Sequence, residues 1–426
     1  MSQNIKVYKG NIVFTKTPKQ FTTLENGYII VENGKVKEVT RNLSKHYKNY
    51  EIFDYDDKII IPGFVDIHLH APQLPNNGLG LDKELLPWLE AYTYPEEARY
   101  GNMEYAKKIY PKLIKDLWKY GVTRSVIMTS IHKETTELLI DLFIKSGLSA
   151  YIGKVNMDRN ANKEVLEDTK TSIKETEKLI KKYIGKSELV KPILTPTLVP
   201  ICTPEIMKGI GQLAKKYDLP VQAHLSENRT AVEWVRQLHP EQPDFGSVYN
   251  EYGLFGQQPT VMAHCIYTTD NEIKMMQENK IYVAHCPHSN FNLASGIMPL
   301  RKYLNLGIDV GLGSDISAGH TLSMMSTIVS AIQASKIKWV EDSNYDPISV
   351  SEGFYLATKG GGKFFGKVGS FEEGYDFDAI IIDDDNLYDF NKRTLEGRIE
   401  KFIYTGDDRN IVERFVAGKK IEEPNF

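Results

Sequence analysis

Apolar residues in this 426-residue chain change their rhythm twice. Positions 5–14 alternate as a half-buried strand does, and the apolar segments 28–31 and 35–39 flank Asn33-Gly34, a two-residue signature of a tight hairpin. Residues 1–61 therefore read as a small β unit. After Pro62-Gly63 the pattern becomes apolar runs of four to eight residues followed by segments of helical period, such as 103–120, 133–146, 205–217 and 271–279. The runs cover 64–70, 122–129, 150–157, 190–198, 220–225, 259–265, 281–286 and 308–313. Eight strand–helix units predict an α/β fold, a (β/α)8 TIM-type barrel over 62–368. From Gly369 strand signals return at 377–382 and 399–404, and 416–421 reads as a closing hairpin. The two chain ends, 1–61 and 369–426, are expected to pair as one small β-sandwich domain.

Composition narrows the class. Hydrophobic residues make up 41% of the chain, charged residues 25%, and the net charge is −4, as in an ordinary soluble globular protein. No basic tract interleaved with aromatics exists to track a phosphate backbone, so no nucleic-acid partner is expected. The Lys-rich stretch 163–186 alternates with acids at helical spacing and reads as a solvated helix face. No stretch reaches the ~20 apolar residues of a membrane span, and the segment from Met1 to Lys9 lacks the apolar core of a secretion signal. Cys202, Cys265 and Cys286 form no Cys-x-x-Cys pair, which argues against a disulfide framework or zinc ribbon and fits a reducing cytoplasm. Cys265 and Cys286 each follow a histidine on a predicted strand, so alternation is expected to turn them away from what those histidines face.

The chemistry gathers at strand ends. Asp66-Ile67-His68-Leu69-His70 closes the first run, and a period of two points His68 and His70 to one side, where two imidazoles can grip one ion. His224 ends the fifth run, His264 the sixth, and Asp315 stands two residues past the eighth. In a (β/α)8 barrel the C-terminal strand ends carry the active site, so all five can point into one mouth. His46, His132, His239 and His320 fall elsewhere and read as structural or surface residues. Zinc or ferrous iron accepts neutral imidazole and carboxylate, and three histidines with one aspartate leave room for a water. Glu227, three residues after His224, is the candidate general acid and base, and Asp315 is placed to take the first proton. Two roles are open to His264: a further ligand, or, favoured here, a neighbour that fixes the attacking oxygen. His285 ends the seventh run and is read as lining the site.

These segments, Pro62-Gly63-Phe64-Val65-Asp66-x-His68-x-His70, His224 with Glu227, Ala263-His264-Cys265, His285-Cys286-Pro287-x-Ser289-Asn290 and Gly313-Ser314-Asp315, resemble the amidohydrolase superfamily. The likeness is closest to its guanine deaminase branch, through His70-Ala71-Pro72-Gln73, the stretch 85–97, Gly153-Lys154-Val155-Asn156-Met157-Asp158 and Gly406-Asp407-Asp408-Arg409-Asn410, and spans essentially the whole chain. The resemblance implies one zinc ion per subunit held by His68, His70, His224 and Asp315, catalysis by Glu227, His264 and Asp315, and hydrolysis of guanine to xanthine and ammonia. It further implies substrate contacts at Gln73, Trp88, Thr197, Leu198 and Asn290, and a cytoplasmic homodimer. One segment departs from the branch: Thr195-Pro196-Thr197-Leu198 stands where its members carry Thr-Pro-Arg-Phe. A guanidinium offers a planar fork that a threonine hydroxyl does not. Another aminopurine, a pterin or an aminotriazine therefore stays open as substrate. A two-metal cyclic-amide hydrolase is disfavoured, since Lys191 sits at the start of the fourth run rather than its end. A barrel kept only as a scaffold is disfavoured because every ligand type is present.

Overall fold

Strands β1 (Ile5–Thr17), β2 (Gln20–Glu32), β3 (Lys35–Thr40) and β4 (Ile52–Pro62) form one sheet with β13 (Ala379–Ile382), β14 (Ile411–Val416) and β15 (Lys419–Lys420) from the other chain end. The computed structural model describes residues 4–387 and 390–426. The sheet order is β15-β14-β13-β4-β1-β2-β3. Asn33 and Gly34 both have positive φ, 53° and 82°, and Glu32 pairs with Lys35 across them, the two-residue turn that the sequence signals. A cluster of Tyr8, Ile12, Phe14, Val31, Phe377 and Phe415 fills one side of this sheet.

One expectation fails here. The segment 399–404 is not a strand but part of the helix Leu395–Thr405. Leu395, Ile399, Phe402 and Ile403 recur at helical spacing and are buried, and the Thr394 side chain caps the helix by accepting from the Gly397 N–H.

The eight remaining described strands, β5 (Phe64–His70), β6 (Val122–Met128), β7 (Ser149–Gly153), β8 (Val190–Pro192), β9 (Val221–Leu225), β10 (Thr260–His264), β11 (Ile281–His285) and β12 (Asp309–Leu312), coincide with the eight apolar runs, β7 starting one residue ahead of its run. They form two four-stranded parallel sheets, β5-β6-β7-β8 and β9-β10-β11-β12. A parallel bridge from Leu194 to Val221 links the first sheet's end to β9. On the other side, the Asp315 N–H donates to the His68 carbonyl at 2.9 Å and the His70 N–H to the Ile316 carbonyl at 3.1 Å. An apolar cluster unites Val65, Ile67, Val126, Val261, Ala263 and Ala284 from both sheets, an arrangement consistent with a TIM-type barrel. β8 is short because Pro192 and Pro196 remove ladder donors.

Helices between the strands keep the predicted places. Met103–Lys119 is capped by Asn102, whose side chain accepts from the N–H groups of Glu104 and Tyr105, and it buries Ala106, Tyr110, Leu113, Ile114 and Leu117. Lys133–Ser146 ends at Gly147, whose φ of 78° a side chain would strain. Thr169–Tyr183 carries the Lys-rich face.

A buried ion pair ties the terminal segments to β6. Arg124 donates Nε to Asp378 Oδ2 at 2.6 Å and Nη2 to Oδ1 at 3.1 Å, and Asp378 also accepts from the Ala417 N–H. Both side chains are almost wholly buried. Truncating Asp378 leaves Arg124 only the partly exposed Asp376, whose Oδ2 lies 2.9 Å from Nη2, so Asp378→Ala is expected to cost up to about 3–5 kcal/mol in denaturant unfolding. A loss below about 1 kcal/mol would contradict this.

Candidate active site at the strand exits

β5 carries a bulge: Asp66 pairs with Ser125 and Leu69 with Ile127, leaving two residues, Ile67 and His68, against the single Val126. Val65 and Ile67 point into the inter-strand cluster, and the bulge resets the alternation so that His68 and His70 also face inward while Leu69 faces out. Asp66 locks this corner, accepting from the Ser314 N–H at 3.0 Å and the His68 N–H at 3.2 Å. Burial pushes the Asp66 carboxyl up to about 7.

Three more strands end in left-handed residues: Ser226 (φ 47°) after β9, His264 (71°) at the end of β10 and Asp315 (50°) after β12. Such conformations are costly for side-chain-bearing residues and cluster where function demands them. They gather the predicted groups. The Nε2 atoms of His70 and His224 lie 3.2 Å apart, and Asp315 Oδ1 lies 3.2 Å from His68 Nε2 and 3.4 Å from His70 Nε2. His264 Nε2 is 3.7 Å from Glu227 Oε2 and 3.8 Å from Asp315 Oδ2.

The donor chemistry fits a cation. His224 gives its Nδ1 proton to the Thr197 carbonyl at 2.7 Å, which turns an Nε2 lone pair toward His70. Either a proton on His70 Nε2 or a cation shared by the two nitrogens satisfies that contact. Both ring nitrogens of His68 are fully buried without a hydrogen-bond partner. Donors ~2.0–2.1 Å from a tetrahedral ion stand about 3.3 Å apart, the spacing found here. Burial pushes His68, His70 and His224 down, His70 to about 3, so each is neutral with a lone pair to give. Burial opposes ionisation of Asp315, but His68, His264 and His70 together hold its carboxyl well below the usual range. Glu227 is the opposite case: burial raises its proton affinity, although His264 pulls the other way. A group that holds a proton more readily than an exposed carboxylate suits proton transfer.

A slot opens over these groups. Its walls include Gln73, Trp88, Thr93, Tyr94 and Glu97 on one side and Val155, Met157, Thr197, Leu198 and Ile201 on the other. Trp88 anchors its indole by donating to the Leu79 carbonyl at 3.0 Å. Among the described residues no lysine or arginine lines the slot. Asn290, expected at the substrate, is not on the wall; its Oδ1 accepts from His264 Nδ1 at 3.0 Å. His285, expected to line the site, is absent from the wall, and both its ring nitrogens are buried without partners. The alternation on β11 has the reverse sense: Ala284 and Cys286 face inward, so the Cys286 sulfur lies within 4.8 Å of the ligand atoms of His264 and Asp315 rather than turning away. Glu97 and Tyr94 escaped the sequence reading as individual site residues, although both lie in the stretch 85–97.

The model of the amidohydrolase family matches residues 59–421. The chain belongs to the amidohydrolase family. It is 37% identical to the guanine deaminase of Dictyostelium discoideum over 98% of each chain, and 38% identical to that of Homo sapiens over 85% of this chain and 83% of the human one. A crystal structure of guanine deaminase from C. acetobutylicum, with guanine bound in its active site, superposes with a TM-score of 0.97 at 54% identity and covers 98% of this chain and 100% of that one. The family is metal-dependent, and the His/Asp cluster supplies donors for an ion.

Proposed function

We propose that this protein hydrolyses guanine to xanthine and ammonia, using one zinc ion held by His68, His70, His224 and Asp315. The observation that carries the reaction class is the donor set, with its atoms 3.2–3.4 Å apart, of which His70, His224 and Asp315 line one slot together with the buried Glu227. Likeness to guanine deaminases over nearly the whole chain supports the substrate. When bound, the ion supplies a water acidified toward a pKa of ~7 and Lewis acidity at the attacked carbon. Glu227 takes one water proton on Oε2 and returns it to the ring nitrogen beside that carbon. The second proton departs with the exocyclic amine as the C–N bond breaks, so water and guanine give xanthine and ammonia. His264, its Nδ1 proton engaged by Asn290, presents Nε2 between Glu227 and Asp315 and orients the attacking oxygen.

We further infer that the eight strands close as a (β/α)8 barrel spanning 62–368. Residues 1–61 and 369–426 then form one small β domain, its seven described strands in a single sheet with the Tyr8 cluster on one side rather than in two facing sheets. Three buried free thiols suit a reducing cytoplasm, and among the described residues no helix is long and apolar enough to cross a membrane. The homodimer rests on the family resemblance, and light scattering tests it.

A second reading has one specific support. With Thr197 and Leu198 on a wall that lacks a cation, a heterocycle other than guanine, such as another aminopurine, a pterin or an aminotriazine, fits the same chemistry. Ultraviolet assays of zinc-loaded protein decide. Guanine is expected to give the highest kcat/KM of the panel; a tenfold or greater preference for another ring would move the substrate and leave the mechanism intact.

A further inference from the structure

The slot wall contributed by residues 73–97 holds a carboxyl group that the reaction does not use. Glu97 is 5% exposed, lines the slot, and has no cationic neighbour on the slot wall. Among the described residues its carboxyl takes one hydrogen bond, from Gln73 Nε2 to Oε1 at 2.9 Å. Gln73 is itself 3% exposed and lines the same slot. A buried carboxyl without a cationic partner in a pocket is costly to keep, and the one hydrogen bond it takes among the described residues comes from an amide that lines the same slot.

We propose that Glu97 is a positioning residue for substrate choice: by accepting from Gln73 Nε2 it fixes the amide so that Gln73 Oε1 faces the bound ring. This rests on the aminohydrolase reading above. An amide free to rotate by half a turn offers either its oxygen or its NH2 at a given point, and so accepts a ring N–H or a bare ring nitrogen alike. An ionised carboxylate can only accept, so it holds the NH2 on its own side and leaves the oxygen for the ligand. The site then favours a ring that shows an N–H at this edge, as a cyclic amide does, over one that shows a lone pair. Guanine and 2,6-diaminopurine differ in this respect: the first carries N–H beside its carbonyl, the second a bare nitrogen beside an amine. With Arg absent from the wall, this pair joins Thr93, Tyr94 and Thr197 as the polar groups beside the metal donors.

Desolvation, with the charge of Glu96 adding to it, pushes the Glu97 carboxyl up to about 7, while the Gln73 hydrogen bond pulls down. Assays at pH 8.5 therefore sample the ionised form. The test is the ratio of kcat/KM for guanine to that for 2,6-diaminopurine in zinc-loaded protein. E97Q is isosteric, but its amide can donate as well as accept and so releases the orientation of Gln73. The ratio is expected to fall at least ~10-fold, mainly through KM for guanine, with 2,6-diaminopurine turnover maintained or raised. In a Q73A background the same E97Q change is expected to move the ratio less than ~2-fold, which a merely structural role for Glu97 would not produce. The exchanged pair, Q73E/E97Q, keeps an acceptor toward the ring and is expected to recover most of the ratio.

An unchanged ratio in E97Q, an equal fall in the Q73A background, or no recovery in the exchanged pair overturns the inference. Failure of the wild-type chain to deaminate guanine overturns instead the reading on which it rests.

Discussion

Glu227→Gln is expected to bind zinc as the wild type does and to lose ~10²–10⁴-fold in kcat on guanine. The amide keeps the shape of the carboxyl and can still accept from Ser295 Oγ, which lies 3.4 Å from Oε1. It cannot take a proton and hand it on. Burial equips Glu227 for that task, since a carboxylate of raised proton affinity is a better base toward water than an exposed one and stays protonated long enough to serve the ring nitrogen. KM is expected to change little, because the slot walls that hold the ring are untouched. Metal content by atomic absorption and steady-state rates check both halves. A fall in kcat of less than tenfold with metal retained would move the proton route to Asp315 or His264, the other groups within reach.

The strands and most of the site were legible because period and position carry them. Apolar runs mark all eight parallel strands, and His68, His70, His224, His264 and Asp315 converge as their strand ends predict. What alternation alone could not supply is the sense in which each strand faces. On β5 a bulge resets the parity, on β10 a left-handed residue turns His264 inward after the inward Ala263, and on β11 nothing resets it. His285 was therefore misplaced, and Cys286 took the inward position instead. The segment 399–404 failed for a different reason: Ile399, Phe402 and Ile403 fit a short strand in isolation, and only their spacing from Leu395 and the Thr394 cap reveals the helix. Glu97 was hidden because a carboxylate in a loop stretch is ordinarily solvated; its burial depends on helical turns after β5 that no local pattern announces.

His224→Ala is expected to abolish both metal binding and activity, the largest loss of any single change. Its Nε2 is one of the closely spaced donors, and its Nδ1 proton holds the Thr197 carbonyl, so truncation removes a ligand and unties the slot wall at once. Three donors would remain, but His70 Nε2 would lose the neighbour 3.2 Å away that shares the ion with it. Activity alone cannot separate this from unfolding, so the deciding readout is zinc-dependent stability. Chelator-treated wild type is expected to regain about 2.7 kcal/mol when zinc reaches 100 times its dissociation constant, whereas H224A gains nothing at that concentration. The apo forms should unfold within about 1–2 kcal/mol of each other, because the side chain lost is polar and belongs to the metal site rather than to an apolar cluster. A variant that kept stoichiometric zinc and its stabilisation would show that His224 is not a ligand and that the ion sits among His68, His70, His264 and Asp315 instead.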